Sequence, residues 1–121
     1  MRGKGRYGNV KKPIVDGHRF DSQSEANRYA ELKLLQRAGK IEGLEIQPRY
    51  VIKIRGKPVL LRSARYPNGR KLTYVADFLY LNPSRDEIII EDVKMQSGHR
   101  TEVYKIKRAL MEAMGYRITE V

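Results

Sequence analysis

Hydrophobic and polar positions alternate with two different periods along this 121-residue chain, and the change of period marks out its elements. Pro13–Phe20 alternates around Asp16-Gly17, a pair that supplies the positive φ values of a tight turn, so a small hairpin is expected there. Asp21 or Ser22 can cap a following helix, and Ser22 with Glu25 has capping-box spacing. The helix is expected to run to about Ala38, with Gly39 ending it. Glu25, Tyr29, Leu32 and Leu35/Gln36 form one stripe, and Ala26, Ala30 and Leu34 beside it make the inward face broad.

The period then falls to two. Tyr50–Arg55 and Pro58–Arg62 read as strands joined at Gly56-Lys57, and Pro67-Asn68-Gly69 as a turn. Leu72–Leu81 and Glu87–Lys94 are β-rich runs flanking a short polar loop. Residues 101–114 return to helical spacing, with Val103, Ile106, Leu110 and Ala113/Met114 directed at the core and Gly115 ending the helix. Tyr116–Val121 is a final strand, expected to lie parallel to the strand at 87–94 because a helix separates them. The fold class is therefore α/β, one domain with a central mixed sheet flanked by helices. Residues 1–12 form a basic flexible arm and residues 13–121 the domain proper.

Two of the core-like strands carry acid in their interiors. With Pro83–Asp86 as the loop, Asn82 faces Glu87, and the same register sets Asp77 opposite Asp92. Opposed side chains in an antiparallel pair have Cβ atoms about 4.5–5.5 Å apart. Two carboxylates at that spacing repel in apolar surroundings but can share a divalent cation. Lys94 shares a face with Asp92, whereas Glu91 and Val93 point away. Glu25 opens the inward face of the first helix and can complete the group, although a first-turn glutamate also serves as a simple cap.

Composition narrows the partners. Twenty-five Lys and Arg against fourteen acids give a net charge of +11, which favours a polyanion. Residues 1–20 hold Arg2, Lys4, Arg6, Lys11, Lys12 and Arg19 against Asp16 alone. Arg2, Lys4, Arg6, Lys11 and Lys12 of the arm, with His99, Arg100, Lys105 and Lys107, are the candidate DNA contacts, and Lys105, Lys107 and Arg108 are placed on the exposed side of the second helix. Gln47, before Pro48, can touch substrate or close a turn. There is no cysteine, only two histidines, no apolar run of membrane length and no signal-peptide segment. A cytoplasmic setting (the host cytoplasm for a phage protein) is expected, with no membrane and no small-molecule cofactor.

Glu25, then Asp77 on one strand, then Asp92-Val93-Lys94 on the next resembles the PD-(D/E)XK nuclease superfamily. The similarity rests on Phe20-Asp-Ser-Gln-Ser-Glu-Ala, Tyr74-Val-Ala-Asp-Phe and Ile90-Glu-Asp-Val-Lys, and spans roughly residues 14–121. Within the superfamily the chain resembles small phage endonucleases and archaeal-type Holliday junction resolvases. The resemblance implies a restriction-endonuclease-like core and Mg²⁺ dependence, with Mn²⁺ able to substitute. Glu25, Asp77 and Asp92 would be metal ligands, and the same three with Lys94 the catalytic set. It also implies a homodimer cutting four-way junctions. Ala76 stands where that pattern has proline, and Asp92 where the resolvases have glutamate. Two other functions fit the same charge and acids: a nicking or repair endonuclease on other DNA structures, and a non-catalytic basic nucleic-acid-binding protein.

Overall fold

The computed structural model describes residues 11–94 and 101–121. Arg2, Lys4, Arg6, His99 and Arg100 lie outside the described residues. The opening hairpin pairs β1 (Ile14–Val15) with β2 (His18–Arg19) through Asp16 and Gly17, both at positive φ. Helix α1 (Gln23–Arg37) follows, and the Ser22 hydroxyl accepts the Glu25 N–H at 3.1 Å as its N-cap. Its buried face is narrower than the helical wheel suggests. Ala26, Tyr29 and Leu32 are buried, while Ala30 and Leu34 face solvent.

The central sheet has four strands in the order β12–β11–β10–β3. β3 (Glu42–Ile46), which polar-apolar patterning did not reveal, lies antiparallel to β10 (Phe78–Asn82), and β10 lies antiparallel to β11 (Glu87–Asp92). β12 (Ile118–Glu120) runs parallel to β11, as the intervening helix requires. The sheet is mixed and carries a hydrophobic cluster on each face. Phe78 and Tyr80 pack with Phe20, Tyr29 and Leu32 beneath α1. Leu79, Ile90 and Ile118 pack with Met111 of the second helix on the other side.

Between β3 and β10 the chain forms a meander of short strands. β4 (Arg49–Val51) pairs with β9 (Thr73–Val75), β5 (Lys53–Ile54) with β6 (Lys57–Pro58), and β7 (Leu60–Leu61) with β8 (Arg70–Lys71). The tight turn falls on Arg55-Gly56 and not on Gly56-Lys57, because those are the two residues in left-handed conformation. The run expected at Leu72–Leu81 is two strands, since Ala76 and Asp77 break the ladder and pass the chain from one sheet to another.

The second helix, α2 (Glu102–Ala113), is rotated from its expected orientation. Val103 and Ile106 are 62% and 53% exposed, and Met111 fills the core instead. Lys107 and Arg108, expected in solvent, are partly buried. The cause is polar. Glu120 of β12 accepts the Tyr104 hydroxyl at 2.9 Å and pairs with Arg108 at 2.9 Å, so both must lie inward. These bonds and the fit of Met111 outweigh the exposure of two aliphatic side chains.

One ion pair ties α1 to the sheet. Glu91 is 1% exposed and receives Arg28 at 2.9 Å through Nε and 2.6 Å through Nη2, with the Tyr80 hydroxyl donating to the same carboxylate. Burial, then the bond to Glu91, pushes the Tyr80 hydroxyl up to about 12. Removing one partner leaves a buried charge without its counterpart. Arg28→Ala is expected to cost about 3 kcal/mol, the low end for such a pair because Arg28 stays 25% exposed. The double variant Arg28→Met/Glu91→Met is expected to cost less. Urea denaturation of both compares them, and a single variant no weaker than the double would show that the pair does not hold the helix down.

Candidate active site

The hairpin register places the acids. β10 and β11 pair Asn82 with Glu87 and Phe78 with Glu91, so Asp77 and Asp92 are opposite one another at the next step. The contact is direct. The Asp77 N–H donates to Asp92 Oδ1 at 3.2 Å, and the Val93 N–H donates to Asp77 Oδ2 at 2.7 Å. Each carboxylate thus caps the strand that carries the other, a charge-assisted arrangement that offsets part of their desolvation. Asp92 is 5% exposed, and its Oδ2 accepts the hydroxyl of buried Tyr74.

Tyr74 was not anticipated as a site residue. The signal lay in its spacing, since Tyr74 and Ala76 alternate inward along the run that leads to Asp77. Gln47 also belongs here. It holds φ near 52° and donates its N–H to the Asp77 carbonyl at 2.9 Å, so it closes the turn that leads β3 past the site.

Glu25 reaches the same place from α1. Its carboxyl is pushed up to about 7, first by burial and then by the negative charges of Asp77 and Asp21, with Asp92 adding to them and the Asp21 N–H opposing. The cap and the acid are one residue: its N–H serves Ser22 while its carboxyl lies within reach of the aspartates' charge. Glu91 takes no part, because strand alternation turns it to the α1 side. Lys94 follows β11 and is exposed; its N–H bonds the Val121 carbonyl at 2.7 Å, extending the ladder, so alternation gives it the side of Asp92.

All three acids offer hard oxygens, the donor set Mg²⁺ or Mn²⁺ prefers. Burial first, and then the charge of Asp77, favours the neutral form of the Glu25 carboxyl, and a cation beside it would favour the charged form. Among the described residues no three His, Asp or Glu side chains already surround one point at ligating distance.

The remaining predicted contacts are scattered. Lys11 and Lys12 are exposed, with Lys12 paired to Asp21 at 2.9 Å, and Lys105 is exposed near Glu102. Lys107 is partly buried. None of these adjoins the aspartates in the hydrogen bonds or ion pairs just described.

A family model described as "Protein of unknown function (DUF1064)" matches residues 4–120, nearly the entire sequence. The chain belongs to this family. No curated protein and no solved structure matches it. The matched span contains Glu25, Tyr74, Asp77, Asp92 and Lys94, so the whole cluster of this DUF1064 chain lies inside the family region.

Glu25 makes stability depend on pH. Its folded value of about 7 lies above the ordinary 4.5, so between those values the folded chain holds a proton that the unfolded chain has lost. Stability contributed by the neutral carboxyl is full below pH 4.5 and is lost as pH rises through 7. Without added metal, Glu25→Gln is expected to flatten that fall and to stabilise the chain at pH 8 by about 1 kcal/mol, after allowance for solvent screening of a partly exposed group. Urea midpoints of both proteins from pH 4 to 9 test this, and parallel curves would remove Glu25 from the cluster.

Proposed function

We propose that this protein is a metal-dependent DNA endonuclease that hydrolyses phosphodiester bonds. The observation that carries the reading is the direct opposition of Asp77 and Asp92, two aspartates bonded across a hairpin in surroundings that would otherwise exclude charge. With Glu25 they would hold Mg²⁺ or Mn²⁺. When bound, the ion would supply Lewis acidity toward phosphate and a more acidic water.

The chain's own residues do the rest. Tyr74, by donating to Asp92 Oδ2, fixes that carboxylate's orientation. Glu25, whose carboxyl lies within reach of the charge of both aspartates, would complete the set of oxygens that holds the ion. Lys94, exposed beyond Asp92, can place that water or balance charge that develops on the phosphate.

In its specific form the proposal includes a restriction-endonuclease-like core, a homodimer and a preference for four-way junctions. These rest on the resemblance of the Glu25, Asp77 and Asp92-Val93-Lys94 pattern to the PD-(D/E)XK nucleases. A second reading, a non-catalytic nucleic-acid-binding protein, is favoured by the net charge of +11 alone.

Cleavage of four-way junctions, flaps and linear duplexes with Mg²⁺ separates the readings. Lys94→Ala is expected to slow cleavage by about 10²–10³-fold, and Asp77→Asn by at least as much, with DNA binding retained in both. Equal rates on linear and branched DNA would remove the junction preference. No Mg²⁺-dependent cleavage by the native chain would refute the enzyme and leave the binding protein.

A further inference from the structure

The charge of this protein is concentrated in a part of the fold that the proposed chemistry does not use. From Ile46 to Ala76 there is no acidic residue, and the same stretch carries Arg49, Lys53, Arg55, Lys57, Arg62, Arg65, Arg70 and Lys71. Those eight match most of the net +11. All eight are exposed, and none forms an ion pair with a described acid. A surface that serves only solubility intersperses both signs, because like charges held together repel. Here the fold holds eight cations together without a counter-charge.

The lobe that presents them is firmly built. Ile52 is fully buried in the α2-side cluster, and Val59 and Leu72 pack against it. Backbone bonds run from Ile52 N–H to the Leu72 carbonyl, from Val59 N–H to the Ile52 carbonyl, and from Leu72 N–H to the Val59 carbonyl, each within 2.9 Å. Gly69, at φ near 89°, lies so close to Leu60 that a Cβ would stand 2.8 Å from the leucine Cβ. The cations therefore sit on a fixed template, which lowers the ordering cost of a partner.

Position links the lobe to the acids. Its outgoing strand β9 runs directly into Ala76 and Asp77, and the Ala76 N–H bonds the Pro48 carbonyl at the base. Lys71 is six residues before Asp77, no more than about 20 Å along an extended chain. That reach corresponds to about half a turn of a DNA duplex.

We infer that this acid-free lobe, residues 49–71, is the surface that docks the phosphate backbone of double-stranded DNA. The inference deepens the nuclease reading by naming where its substrate is held, and it rests on that reading for the choice of DNA. Duplex is favoured over single strand because the lobe offers little for bases to stack on. Of its two tyrosines, Tyr50 packs on Tyr116 with ring centroids 5.3 Å apart, and Tyr66 has the Arg65 and Arg70 guanidinium groups each 5.6 Å from its centroid. Contacts of this kind recognise charge and shape without reading sequence.

Counterion release provides the test. The full chain carrying Asp77→Asn, chosen to suppress cleavage on the proposed reading, is titrated with a mixed-sequence duplex over a range of salt. In that background Arg62→Ala/Arg65→Ala/Arg70→Ala/Lys71→Ala is expected to weaken binding at least about tenfold at 0.1 M salt and to flatten the log K against log salt slope by roughly 3.6. A matched control, Arg19→Ala/Arg37→Ala/Lys40→Ala/Arg85→Ala, removes as many exposed cations outside the lobe and is expected to change the slope little. Replacing Arg62, Arg65 and Arg70 by Lys keeps the charge and should keep the slope, which separates lost contacts from lost folding. Equal losses in lobe and control variants, or none in either, would overturn the inference. So would tighter binding to double-stranded RNA or to anionic phosphatidylserine vesicles than to DNA. If the native chain never cleaves but the lobe pattern holds, the nuclease reading falls and the docking surface stands. If the native chain cleaves while the lobe variant binds DNA like the control, the lobe alone falls.

Discussion

Asp77 and Asp92 face each other because four residues, Pro83–Asp86, close the β10–β11 hairpin in one register. A shift of one residue would turn every side chain of β11 over. Asp92 would enter the α1-side cluster and Glu91 would lose Arg28. The two strands therefore cannot slip without stranding two buried carboxylates at once, each with several kcal/mol of desolvation to recover. Asp86 takes the left-handed conformation that ends the loop, a position aspartate tolerates better than most residues. The rest of the arrangement depends on this pairing.

The adjacent acids Glu91 and Asp92 show how alternation divides labour. Glu91 points to α1, where a bidentate arginine and a tyrosine hydroxyl satisfy it. Asp92 points to the opposite side, where a backbone N–H and the Tyr74 hydroxyl orient it. The first fastens a helix to the sheet, and the second faces Asp77 across the hairpin. They are also coupled. By drawing α1 onto the sheet, the Arg28–Glu91 pair sets the helix that carries Glu25 one turn earlier. An ion pair on one face of the sheet thus brings the third carboxylate to the cluster.

Opposite charges are kept in separate parts of the molecule. Asp77 and Asp92 stand opposed at one end of the β10–β11 hairpin with Glu25 within reach of their charge, and eight cations lie along the meander that enters it. On the proposed reading, a polyanion drawn to the cations would come toward acids that tolerate a phosphate only with a divalent ion between them. The acids would repel bare phosphate, so the cation would serve as the bridge between two regions of opposed demand.

The sequence by itself determined the local elements: the Asp16-Gly17 hairpin, a cap at Asp21 or Ser22 (Ser22 in the structure) and the β10–β11 register, each set by neighbouring residues or by a strand period of two. It also determined the Asp77–Asp92 opposition and the parallel β12, which follow from loop length and connection rules. Tertiary contacts decided the rest. The inward face of α2 was settled by Glu120, a residue beyond the helix, which drew in Tyr104 and Arg108 while Val103 and Ile106 stayed in solvent. The partner of Glu91 lies 63 residues away on α1, out of reach of any local pattern. Strands of two or three residues, such as β5 to β8, hold too few positions for a period to register. Their acid-free charge could be read along the chain, but only the fold could gather it on one lobe at the root of Asp77.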